Sequence, residues 1–114
     1  MSTTPVLFVS HGAPTFALEP GRLGPALGAT GEQLPRPRAV LVVSPHWMTR
    51  DLRVATGAAP ATVHDFGGFD RALYDIQYPA PGHPELAARA IEVLRAAGWP
   101  AVADERQGLD HGRL

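Results

Sequence analysis

Apolar positions gather in two short uninterrupted runs early in the chain, Val6-Leu7-Phe8-Val9 and Ala39-Val40-Leu41-Val42-Val43. A run that is apolar at every position suits a strand covered on both faces, as in a parallel sheet. The first run predicts a strand over residues 5–10, punctuated by Gly12 and Pro14. The second predicts a strand over 39–44, ended by Pro45. A shorter strand is expected over 52–56, where Leu52, Val54 and Thr56 alternate, and a last one around 101–103. Helical spacing is clearest over 84–97. There Leu86, Ala87, Ala90, Ile91, Leu94 and Ala97 share one face, with Glu85, Arg89, Glu92 and Arg95 largely opposite. Pro84 suits the first helical position and Gly98 the stop, and Glu85 and Arg89 stand i,i+4 as an ion pair. Residues 22–27 carry a weaker helical signal among glycines and prolines, and 70–74 one turn. Pro35 and Pro37 make 28–38 a connection. Strands alternating with helices are the pattern of an α/β fold with right-handed crossovers.

Each of the two apolar runs delivers a histidine just past its carboxyl end: His11 in Ser10-His11-Gly12-Ala13-Pro14 and His46 in Ser44-Pro45-His46-Trp47. That edge is where α/β sheets bind ligands. Two imidazoles at equivalent strand ends can converge on one ion, and neutral imidazole suits Fe(II) and Zn(II). The alternative is that each histidine bonds nearby backbone and closes the sheet edge. Gly12 permits a positive φ in the loop that follows His11.

Composition narrows the chemistry. The chain has 114 residues, enough for one domain, and 45% of them are apolar, enough for a core. The absence of cysteine excludes disulfides and thiolate metal sites, leaving histidine and carboxylate as ligands. A net charge of −1 gives no electrostatic footprint for nucleic acid. All ten basic residues are arginine, which removes Schiff-base lysine chemistry. No apolar run approaches the roughly 18 residues a membrane span needs, and Met1-Ser2-Thr3-Thr4 lacks the basic region of a secretory signal. A soluble, cytoplasmic protein is the expectation.

His111 and His64 admit two readings each. His111, in Leu109-Asp110-His111-Gly112, is either an acid/base or substrate donor near a metal, or a loop residue in a turn. His64 heads Asp65-Phe66-Gly67-Gly68-Phe69: it lines a substrate pocket with aromatic walls, or the cluster plugs one end of the sheet. Tyr74 and Tyr78 share that ambiguity. His83 looks like a solvated helix cap. Neither a P-loop nor a dinucleotide fingerprint is present, and Ser10 and Ser44 lack the Gly-x-Ser-x-Gly elbow of serine hydrolases.

Taken in order, Ser10-His11-Gly12-Ala13-Pro14, Leu34-Pro35-Arg36-Pro37, Val43-Ser44-Pro45-His46-Trp47, Val63-His64-Asp65-Phe66-Gly67-Gly68-Phe69, Leu73-Tyr74-Asp75, Tyr78-Pro79-Ala80-Pro81-Gly82 and Gly108-Leu109-Asp110-His111-Gly112 resemble the class III extradiol ring-cleavage dioxygenases, in the branch that includes 4,5-DOPA extradiol dioxygenases. The motifs spread over essentially the whole chain. The resemblance implies one non-haem ion, Fe(II) or Zn(II), held by His11 and His46, with His111 beside the substrate. The implied reaction opens a catechol-type ring beside its two hydroxyls, adding both atoms of O2. It further implies that the remaining histidines of the metal site lie beyond Leu114. The expected fold is α/β, a three-layer sandwich around a mostly parallel or mixed sheet, incomplete in this chain. Residues 1–114 then form the N-terminal part of one catalytic domain, since 108–114 read as the middle of a domain. Expected partners are a catechol-type aromatic and O2, with no nucleic acid or membrane and with homo-oligomer formation open. The alternatives are a non-catalytic remnant that binds metal weakly or pairs with a partner chain, and a zinc hydrolase, for which no carboxylate base stands out.

Overall fold

The computed structural model describes residues 3–10 and 12–110. His11 and His111 lie outside the described residues. The centre of the molecule is a parallel pair of short strands, β1 (Arg53–Ala55) and β2 (Val102–Asp104). Arg53 stands opposite Val102, Val54 opposite Ala103 and Ala55 opposite Asp104. Two bonds extend the ladder: Val102 N–H donates to Leu52 O and Thr56 N–H to Asp104 O, each at 2.9 Å. Parallel neighbours need a long crossover. Here it includes the single-turn helix α1 (Arg71–Tyr74) and the helix α2 (Pro84–Ala96), and α2 packs on both strands. Another helix, αN (Leu23–Gln33), follows a 3-10 turn at Pro14–Ala17.

Helix α2 has the features its sequence predicts. Pro84 opens it, and His83 caps it, Nδ1 accepting from Leu86 N–H at 3.1 Å. Gly98 follows its end at φ 92°, where a side chain would be strained. Ala87 and Ile91 are buried and Ala90 and Leu94 partly so, but Leu86 and Ala97 at the margins of the stripe are exposed. Arg89 pairs with Glu92 at 3.2 Å rather than with Glu85. Asp70 caps α1, its carboxylate accepting from Ala72 N–H at 2.9 Å. Leu73, 1% exposed, is the largest fully buried side chain. With Ala87, Ile91 and Ala101 it forms the core.

Three expectations are corrected. Helix αN runs on through Gly28 and Gly31 to Gln33, although 28–38 reads as a connection. Its proline, Pro25, is the third residue, where the backbone N–H has no intrahelical partner to lose. It stops when Leu34, preceding Pro35, turns extended at ψ 143°. More important, neither 5–10 nor 39–44 is a strand. Val6 is 95% exposed, Phe8 104% and Val43 92%. A strand apolar at every position needs neighbours on its edges and cover on both faces, and the described residues supply neither. The α/β class therefore rests on β1, α2 and β2, and the three layers are not formed among the described residues. No helix among them is long and apolar enough to cross a membrane.

Candidate functional site

The segment carrying His46 is a tight turn. Trp47 N–H reaches back to Ser44 O at 3.4 Å, and Pro45 occupies the turn's second position, which its fixed φ suits. The Ser44 hydroxyl does two things at once. It accepts from His46 N–H at 3.2 Å, and it donates to Asp110 Oδ1 at 2.9 Å across 66 residues of sequence. Asp110 is 2% exposed, and a buried carboxyl group is tolerated only with such partners.

Asp110 is itself held by the sheet. Thr62 and Leu109 form a parallel bridge beyond β1 and β2, with Val63 N–H donating to Leu109 O and Leu109 N–H to Ala61 O, each at 2.7 Å. Gly108 makes this approach possible. A Cβ there would stand 2.6 Å from Val63 Cγ2 and closer still to Ala61 O. Three segments remote in sequence thus meet around Leu109 and Asp110: the turn leading to His46, the chain leading to His64, and the chain leading to His111.

His64 is half-buried, with Nε2 at 2.8 Å from Ile76 O. A carbonyl only accepts, so Nε2 carries the proton and Nδ1 is the ring's remaining nitrogen. Phe66 lies edge-on to His64 at 5.9 Å between centroids and to Phe69 at 5.7 Å. Tyr74 packs at 5.1 Å from Phe66, and its hydroxyl donates to Phe66 O at 3.3 Å. Tyr78 N–H donates to Thr62 Oγ1 at 2.8 Å. Phe66, Phe69 and Tyr74 therefore form one aromatic cluster against His64, with Phe69 and Tyr74 partly open to solvent.

Among the described residues, no group of three or more histidine and carboxylate side chains is placed to hold a metal ion. Two of the three histidines expected near a metal, His11 and His111, lie outside those residues, and His46 is exposed on its turn. The donors available suit a borderline divalent ion: imidazoles, with no thiolate.

Charged groups on and beside the strand pair perturb one another. The Arg53 guanidinium bonds Asp51 at 2.7 Å and Asp104 at 3.2 Å. It holds the Asp51 carboxyl below the usual range, and the two carboxylates raise Arg53 in turn. Asp104 is lowered chiefly by Arg106 N–H, which donates to its Oδ1 along with Gln107 N–H, and then by Arg53.

Sequence reasoning missed Ser44 and Asp110 as a pair. Each lies in a motif beside a histidine, but their separation leaves no local signal.

A family model described as the catalytic LigB subunit of aromatic ring-opening dioxygenase matches residues 25–114. Among individual proteins, the chain is 49% identical over 98% of its length to 4,5-DOPA dioxygenase extradiol of Escherichia coli (strain K12). It is 38% identical over 92% of its length to the Beta vulgaris protein of the same name, and 32% over 98% to dioxygenase tasH of Hapsidospora irregularis. The chain spans 42%, 41% and 38% of those three proteins' own lengths.

Proposed function

This chain belongs to the LigB family of aromatic ring-opening dioxygenases, and we propose that it is a metal-dependent extradiol dioxygenase acting on a catechol-type aromatic with O2. The relatives named 4,5-DOPA dioxygenase extradiol favour a dihydroxyphenyl substrate of that kind. The observation that carries the reading is the junction at Asp110, where the turn bearing His46 is bonded to the residue before His111. In this reading His11 and His46 hold one non-haem ion, Fe(II) or Zn(II), and His111 and His64 serve the substrate. A bound ion would supply the positive charge that favours the catecholate and, as Fe(II), the redox capacity to engage O2. His111 acts as acid/base, taking a hydroxyl proton from the catechol and returning a proton to the opened product. His64 uses Nε2–H on Ile76 O, so Nδ1 is its group for a substrate hydroxyl. Both oxygen atoms of O2 enter the product, so no external reductant is required.

The reading extends to architecture. Residues 1–114 are the N-terminal part of one catalytic domain, a three-layer α/β sandwich, consistent with the 38–42% of the relatives' lengths that they span. A reducing cytoplasm suits the ferrous ion. A second reading is favoured by the exposure of Val6, Phe8, Val40 and Val43: the chain alone is catalytically incomplete, binding metal weakly and pairing with a partner chain or a second copy.

Anaerobic loading with Fe(II) and L-DOPA, followed by oxygen, separates the two. A yellow ring-opened product from the chain alone, lost in His46→Ala, is the expected result for the first reading. Colour only when the rest of a relative's length is added in trans supports the second. No colour in either case, with metal affinity unchanged in His11→Ala and His46→Ala, overturns both.

A further inference from the structure

We infer that Ser44 and Asp110 are positioning residues that fix the orientation of His46 relative to the segment entering His111. The inference rests on the metal reading above only for what the alignment is used for. The bonds themselves run in series: His46 N–H donates to Ser44 Oγ at 3.2 Å, and Ser44 Oγ–H donates to Asp110 Oδ1 at 2.9 Å. A hydroxyl that accepts from one side and donates to the other is held at both ends, so its rotor is no longer free.

The two ends of this relay differ in burial. Asp110 is 2% exposed, and the residue before it is clamped to Ala61 and Val63 by two 2.7 Å backbone bonds. His46 lies exposed on a turn in which Trp47 N–H reaches Ser44 O at 3.4 Å. An exposed turn is thus bonded to a buried residue through the Ser44 hydroxyl. Outer partners of a ligand imidazole commonly bond its far ring nitrogen; here the bond is to the His46 backbone N–H. Serine is specific here. Alanine removes both bonds, whereas threonine keeps the hydroxyl and adds only a methyl group.

Co(II), a spectroscopically visible stand-in for the native ion, tests the inference on the 114-residue chain. Ser44→Ala is expected to weaken Co(II) affinity by about ten- to a hundredfold, as outer partners of metal ligands do, and to change the intensity of the visible bands. Ser44→Thr is expected to restore both. Without metal, Ser44→Ala should accelerate exchange of the His46 amide hydrogen and shift the His46 ring signals in NMR, with far-UV circular dichroism unchanged. Asp110→Asn, which keeps a neutral acceptor, should give the same changes in smaller measure, and it carries the test should Ser44→Ala not fold. If the wild-type chain binds no Co(II), the incomplete-chain reading is favoured and the exchange and ring signals alone decide the positioning role. Unchanged His46 exchange and ring signals in Ser44→Ala, or no recovery in Ser44→Thr, overturn it.

Discussion

Two parts of this molecule both read as strands in the sequence and end differently. Residues 40–43 and 6–9 are more apolar than β1 or β2, yet they are exposed and unpaired as strands, with Phe8 at 104% and Val43 at 92%. The strands that do form, Arg53–Ala55 and Val102–Asp104, contain an arginine and an aspartate. What separates them is the crossover. Helix α2 lies between β1 and β2 in the chain and packs on both, so each strand gains a neighbour and a cover together. The apolar runs have no element among the described residues to do this. Hydrophobicity makes a segment able to be a strand, and a partner decides whether it is one. Relatives more than twice as long as this chain offer one source of such partners.

Truncating a side chain in each part tests this contrast most directly. Leu73→Ala removes the largest fully buried side chain and should destabilise the fold by about 2–5 kcal/mol. Phe8→Ala, although it removes a larger side chain, should stay within about 0.5 kcal/mol of wild type. Urea unfolding followed by circular dichroism measures both. Equal losses would show that residues 6–9 are packed in solution and would erase the difference between the two parts.

Gly108→Ala probes the packed part at the point where it reaches the candidate site. The added methyl group meets Ala61 O and Val63 Cγ2, and relieving that overlap should cost about 1–3 kcal/mol. Because Leu109 is bonded to Ala61 and Val63, the same change should loosen Asp110 and lower metal affinity along with stability. Thermal unfolding and Co(II) titration of the variant provide the two measurements. A stable variant with normal affinity would mean that the bridge at Leu109 does not hold the site.

Much of this was legible from the residues, and the remainder was not for identifiable reasons. Local chemistry was enough for α2, with Pro84, His83 and Gly98 at its ends, and for the Asp70 turn. It was also enough for the glycine loop after His11, where Gly12 has a φ of 63°. Helix αN was read too short because glycine lowers helix propensity without forbidding helix, by roughly 1 kcal/mol a residue. Strand pairing was misjudged because it depends on what lies alongside, which a run of valines does not state. The histidine motifs pointed to a candidate site, but the bond joining Ser44 to Asp110 spans 66 residues, too far for any local pattern to show.

The smallest expected effect concerns the charges on the strand pair. The carboxyl group of Asp104 is lowered by Arg106 N–H first and by Arg53 after desolvation is offset. A group whose folded pKa lies below its unfolded value stabilises the fold above the unfolded value, near 3.9 for aspartate, and that stability drains away as pH falls through the folded pKa. Stability should therefore be level from pH 7 to about 5 on this account and decline below about 4. Asp104→Asn keeps an oxygen to accept from Arg106 and Gln107 but removes the charge facing Arg53. Since Arg53 is over a third exposed, the loss at neutral pH should be at most about 1 kcal/mol. The acid decline should become shallower in the variant, as urea midpoints at pH 7 and pH 3.5 would show. An equally steep decline would place the acid-sensitive carboxylate elsewhere, away from the ladder that holds the packed half together.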